Sequence, residues 1–155
     1  MEPLVETWQI NNGILLFLLN AIPEEQLATK LEKGKAVVGS FTHVHNVRHM
    51  WLKVCAPDLH AAQTKFEDSA ISKAEIESCL RESGEAIAEV LRRAGSPDGK
   101  VKGFRPHAAA FLGYLISHES FHRAQIEVAL RQAGTPLSDK DAYAMWEWGK
   151  ADFRV

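Results

Sequence analysis

Two histidines four residues apart, His118 and His122, form the segment His118-Glu119-Ser120-Phe121-His122. On a helix they lie about 40° apart around the axis and roughly 6 Å apart along it, so both rings can address one metal ion. The spacing also satisfies H-E-x-x-H, in which two histidines bind zinc and the glutamate activates a water for peptide hydrolysis. That reading needs a third ligand downstream, for which Glu147 is the best-placed acid, and a strand edge to hold an extended peptide. No strand is evident in the sequence. Glu119 lies roughly 80° off the direction midway between the histidines. It is expected on the exposed flank, supporting Arg123 at i+4.

The histidine column sits in the pattern Phe111, Leu115, His118, His122, Gln125, Ala129, whose steps of four and three mark an inward helical stripe. Five further histidines compete for the third position. On the preceding histidine-bearing helix, His43 shares a column with Ala36, Ser40, Val47, Met50 and Val54, small and apolar as an inward face should be. His45 lies about 160° and His49 about 120° from it. Those two are expected to be solvated or packed at a helix edge, each able to support a ligand from behind. His60 and His107 sit in or beside loops. The expected site is therefore His43, His118 and His122, an open three-imidazole arrangement of the catalytic rather than structural kind. Imidazole also suits nickel, iron and copper, so spacing alone does not fix the metal. Asn11, Asn12, Tyr114 and Gln125 are candidate anchors for the ligand rings, with plain packing the competing role.

The elements that must position these residues read as helices. The first runs from about Pro3 to Ile22, stopped by Pro23, and a polar stretch from Glu24 to Gly34 leads into the second, about Lys35 to Ala56. A long connection, Asp58 to Ile71, precedes a third helix opened by the capping box Ser72-x-x-Glu75 and closed at Arg93-Ala94-Gly95-Ser96-Pro97. Pro106 suits the first turn of the fourth, which ends at Gly134-Thr135-Pro136. Ser138 with Asp141 begins a short fifth helix through Trp146 and Trp148. The expected architecture is an all-α, up-and-down four-helix bundle with a short C-terminal helix, one domain over residues 1–155.

At 155 residues with 46% apolar and 25% charged side chains, the chain has the makings of one globular core. A formal charge of −2 without a basic run argues against nucleic acid. Cys55 and Cys79 are too few and too distant for a disulfide framework, and are expected to pack as small apolar groups. The greasy run from Gly13 to Ile22 is too short for a membrane span, and the N-terminus lacks a signal-peptide pattern, so a cytoplasmic protein is expected.

The segments Ser40-Phe41-Thr42-His43-Val44-His45-Asn46-Val47-Arg48-His49-Met50-Trp51-Leu52 and His118-x-x-x-His122-Arg123-Ala124-Gln125-Ile126 resemble the DinB/YfiT-like metalloprotein family. The terminal Met145-Trp146-Glu147-Trp148-Gly149-Lys150 is similar to the tail of many members. The resemblance spans essentially the whole chain. It implies a four-helix bundle holding a divalent metal, often zinc or nickel, on His43, His118 and His122, and commonly a homodimer. Characterised relatives include S-transferases and isomerases that use bacillithiol, mycothiol or glutathione. Two positions depart from the family pattern: Arg48-His49, where an acidic residue and arginine are common, and Ala124, where glycine is common.

These readings lead to a metal-dependent enzyme acting on a small molecule, by thiol-dependent S-transfer or by hydrolysis. Beside it stands a non-enzymatic, dimeric metal-binding stress or interaction protein, with Trp8 and Trp51 in a helix–helix interface. The H-E-x-x-H peptidase is the third reading.

Overall fold

A computed structural model describes residues 2–64, 71–149 and 152–153. Four long helices carry the molecule: α1 (Pro3–Ala21), α2 (Val37–Cys55), α4 (Lys73–Ala94) and α5 (Ala108–Gln132). Short helices α3 (Pro57–Ala61) and α6 (Asp139–Ala144), and a 3₁₀ turn over Glu24–Ala28, fill the connections. Helices α1 and α2 stand diagonally across the bundle, each packed on both α4 and α5. The expected all-α bundle is what the chain forms. Part of the connection expected from Asp58 to Ile71 (residues 65–70), and the Lys150 end of the tail motif, lie outside the described residues.

The helix ends follow local chemistry. Ser72 caps α4 through the expected reciprocal box: its hydroxyl accepts from the Glu75 backbone N–H, and the Glu75 carboxylate accepts from the Ser72 N–H. Gly95 closes the same helix at φ 74°, a left-handed position that glycine occupies without steric cost. Ser138 caps α6 as expected, but that helix stops at Ala144, short of Trp146 and Trp148.

One expectation fails at the start of α5. Pro106 belongs to a small antiparallel hairpin, β1 (Lys100–Val101) with β2 (Phe104–His107), and the helix begins two residues later at Ala108. The strands are too short to show alternation, so the hairpin leaves almost no periodic signal. His107, expected to be idle, is the cap: its Nδ1 accepts from the Ala110 N–H at 3.1 Å.

The core is apolar at both ends of the bundle. Ile14, Leu18, Phe41, Ile76, Leu80, Ile126 and Leu130 pack at one end, and Trp8, Leu52, Ile87, Leu91, Phe111 and Leu115 at the other. Two glycines permit close approaches. A methyl group at Gly84 would come within 2.4 Å of the Asn12 amide, so the Asn12 side chain of α1 lies directly on the α4 backbone there. A methyl group at Gly13 would fall 1.9 Å from the Phe153 carbonyl oxygen, so the C-terminal segment lies directly on α1. Cys55 and Cys79 are free thiols, both pushed up in pKa chiefly by burial, as expected of packing residues.

Candidate metal centre

The face that α2 turns to the core is not the one its sequence column indicates. Val37, Ser40, Phe41, Val44, His45, Arg48 and Leu52 are buried, whereas Met50 and Val54 are 51% and 44% exposed. At about 100° per residue the buried face centres roughly 140° away from His43. His43 therefore stands at the edge of the bundle, half-buried, rather than in its interior. On α5 the stripe holds for Phe111, Leu115, His122 and Ala129, while His118 is half-buried. The three expected histidines meet at this α2–α5 edge.

His43, His118 and His122 each offer one ring nitrogen, and these atoms lie within 4.8 Å of one another. The Nε2 atoms of His43 and His118 are 3.4 Å apart. Two nitrogens each about 2.1 Å from a tetrahedral ion would be separated by about that distance. The Nδ1 of His122 is buried without a hydrogen-bond partner. A donor set of three imidazoles and an orphaned ring nitrogen fits a borderline cation, which takes neutral imidazole nitrogen.

Electrostatics keep the rings in that neutral form. Burial pulls the His122 pKa down to about 4, helped by the neighbouring His118 and His43 and by Lys35, with contact to Gln125 opposing. His43 is lowered by burial, then by Lys35 and His118. His118 is lowered chiefly by burial, against the opposing charge of Glu119. On a neutral ring no proton occupies the lone pair that a metal needs.

Exposed apolar groups surround the trio. Tyr114 stacks on His118 with centroids 6.5 Å apart, and Phe121, 60% exposed, meets His122 edge-on at 5.3 Å. Met50, seven residues after His43, continues its column.

Behind the histidines lies a buried polar network that the sequence reading does not foresee. Arg48 and Glu119 are 0% and 1% exposed. Arg48 Nε donates to Glu119 Oε1 at 2.7 Å and Nη2 to Oε2 at 2.9 Å, a two-pronged pair joining α2 to α5. Nη1 donates to Asn12 Oδ1 at 2.8 Å and to the Leu80 carbonyl at 3.0 Å, and Asn11 donates to Glu119 Oε2 at 2.7 Å. The guanidinium also lies 4.8 Å above the Trp8 ring, whose Nε1 donates to the Gly84 carbonyl. Every helix of the bundle contributes.

Several expectations change accordingly. Glu119 is not on an exposed flank beside Arg123, because the buried guanidinium of Arg48 draws it inward. Asn11 and Asn12 anchor that ion pair, not the ligand rings. His45 is buried rather than solvated: its Nδ1 bonds Ser83 Oγ and its Nε2 the Thr64 carbonyl, both at 3.1 Å. His49 and His60 pack on each other with centroids 4.1 Å apart and ring planes tilted by 48°, away from the trio. Trp8 is fully enclosed and unavailable to a partner chain, while Trp51 packs edge-on against Phe104, Phe111 and Tyr114 within the protomer. A sequence signal for the network does exist: Arg48 continues the apolar series Phe41, Val44, Leu52, where an unpaired charge would be costly.

Among the described residues, no helix is long and apolar enough to cross a membrane. The family model described as DinB family matches residues 1–150. No curated protein matches the chain.

Proposed function

This chain belongs to the DinB family, and from that premise we propose that it is a divalent-metal protein whose ion is held by His43, His118 and His122. The convergence of three neutral imidazoles from two helices carries the reading. Of the ions that imidazole suits, zinc and nickel are those the family resemblance implies.

We further propose a metal-dependent reaction on a small molecule, thiol-dependent S-transfer or hydrolysis. A bound divalent cation would supply Lewis acidity, lowering the pKa of a coordinated thiol or water. The chain's own contributions are distinct from that. The three rings would hold the ion at the bundle edge. Tyr114, Phe121 and Met50 give an apolar electrophile a surface and shed water from it. Lys35, close enough to His43 and His122 to disfavour their protonation, offers a positive charge to an anionic substrate group. The peptidase reading lacks support: both carboxylate oxygens of Glu119 are engaged by Arg48 and Asn11, so it is not poised as a general base.

Elemental analysis of tag-free protein tests the metal reading. Near-stoichiometric zinc or nickel is expected in the wild type and a large loss in both His43→Ala and His122→Ala; full retention in both variants would refute the trio. For the reaction, metal-loaded protein is incubated with bacillithiol, mycothiol or glutathione and an electrophile. Conjugate formation that tracks metal content is expected with one of the thiols, and none with any of them removes the transferase.

The exposed collar of Met50, Tyr114 and Phe121 also favours a second reading, a homodimer in which the protein binds metal and partners without catalysis. Light scattering measures the oligomeric state, and a dimer split by Phe121→Glu would place the interface at this collar.

A further inference from the structure

A pocket lies on the opposite side of α5 from the histidines. It has a volume of about 230 Å³ and is walled by Ile14 of α1, by Ser120, Arg123, Ala124 and Glu127 of α5, and by Met145, Trp146 and Trp148. At about 100° per residue, the four α5 residues point roughly 170° away from the direction midway between His118 and His122. The pocket is thus separated from the metal centre by the helix itself.

The C-terminal segment that forms one wall is fixed at both ends. Met145 and Phe153 are each only 6% exposed. Phe153 meets Phe17 edge-on at 5.9 Å, and its backbone rests on Gly13. The Trp148 Nε1 donates to the Met145 carbonyl at 3.1 Å, holding that indole against the turn after α6. The indole of Trp146 is 80% exposed, at the rim.

Two opposite charges line this aromatic-walled space without neutralising each other. Because Glu119 turns inward to Arg48, Arg123 has no carboxylate within ion-pair reach among the described residues. Its one hydrogen bond there is from Nη2 to Ser120 Oγ at 2.8 Å, which leaves most of a five-donor fork unused on a half-buried side chain. Glu127 stands four residues on, in the arginine-first order that favours pairing least. Among the described residues it makes neither hydrogen bond nor ion pair, though its charge is felt at Arg123.

We propose that this pocket is a metal-independent binding site for a small zwitterion of amino-acid type. The ligand's carboxylate meets the guanidinium of Arg123, a planar donor matched to that anion. Its ammonium lies between Glu127 and the indole faces, which attract cations. Its apolar body rests on Ile14, Ala124 and Met145. A singly charged ligand would satisfy one wall and leave the other charge uncompensated. This site does not depend on the reading of the histidines as metal ligands.

The test titrates the full-length protein with L-phenylalanine, 3-phenylpropanoate and 2-phenylethylamine, following heat and tryptophan emission. L-Phenylalanine is expected to saturate, with both singly charged analogues at least tenfold weaker. Arg123→Met and Glu127→Gln, each checked for an unchanged helical spectrum, should also weaken L-phenylalanine at least tenfold. His43→Ala should bind it as the wild type does. Failure of all three probes to saturate, or equal binding of a singly charged analogue, overturns the proposal. So does loss of binding in His43→Ala, which would move the ligand to the metal centre.

Discussion

The three histidines illustrate how little of a site is specified by residue type alone. His43, His118 and His122 are held neutral mainly by burial, and this has a measurable cost in the metal-free protein. The folded-state pKa of His122, about 4, lies below its ordinary value of 6.5. As pH falls through that window, the unfolded chain takes up a proton that the folded chain refuses. Stability of the apo-protein should therefore decline from about pH 6.5 down to about pH 4. Chemical denaturation of chelator-treated protein across this range checks the sign. His122→Gln should flatten the profile, and a wild-type curve that rises on acidification would contradict it.

At the scale of elements, the decisive feature is the Arg48–Glu119 pair that fixes α2 against α5. Removing one partner leaves a charge without compensation in the core, a loss of about 3–5 kcal/mol. Arg48→Met and Glu119→Leu should each destabilise by that order, and the double variant by much less than their sum, measurable in a urea double-mutant cycle. The helix caps act more locally: Ser72→Ala should cost about 1 kcal/mol, with no change in metal content. The same element shows where sequence reasoning reaches its limit. Periodicity sorts side chains by polarity, so it places Met50 and Val54 inside and leaves Arg48 unassigned. It still singles out His43, the one histidine in that column, although the column is not the buried one. It likewise sends Glu119 outward, because the partner of that carboxylate lies 71 residues away and periodicity carries no information about such pairs. Capping boxes and long amphipathic helices were legible because their causes lie within a few residues. The hairpin before α5 was not, since two- and four-residue strands fall below any repeat.

For the whole molecule, the C-terminal segment is part of the bundle, because Gly13 gives it a seat on α1. A side chain there would meet the Phe153 backbone, which cannot swing aside as a flexible side-chain tip could. Gly13→Ala should therefore dislodge the segment, shift tryptophan emission toward that of free indole and speed proteolysis beyond Ala144. The proposed metal centre on the far side of α5 should keep the metal content of the wild type. Coincident loss of both would mean that the segment supports the whole bundle rather than one face.

The ion pair at the centre also constrains how such a sequence can diverge. A lineage that replaces Arg48 with an apolar residue strands Glu119, and the reverse change strands Arg48, so each lone step passes through a weakened intermediate. The two positions are expected to be inherited jointly, both charged or both apolar, across descendants of this chain. The histidines, which stand at the edge and touch no such partner, are freer to be lost one at a time. A scaffold of this kind can outlive a site built on its edge.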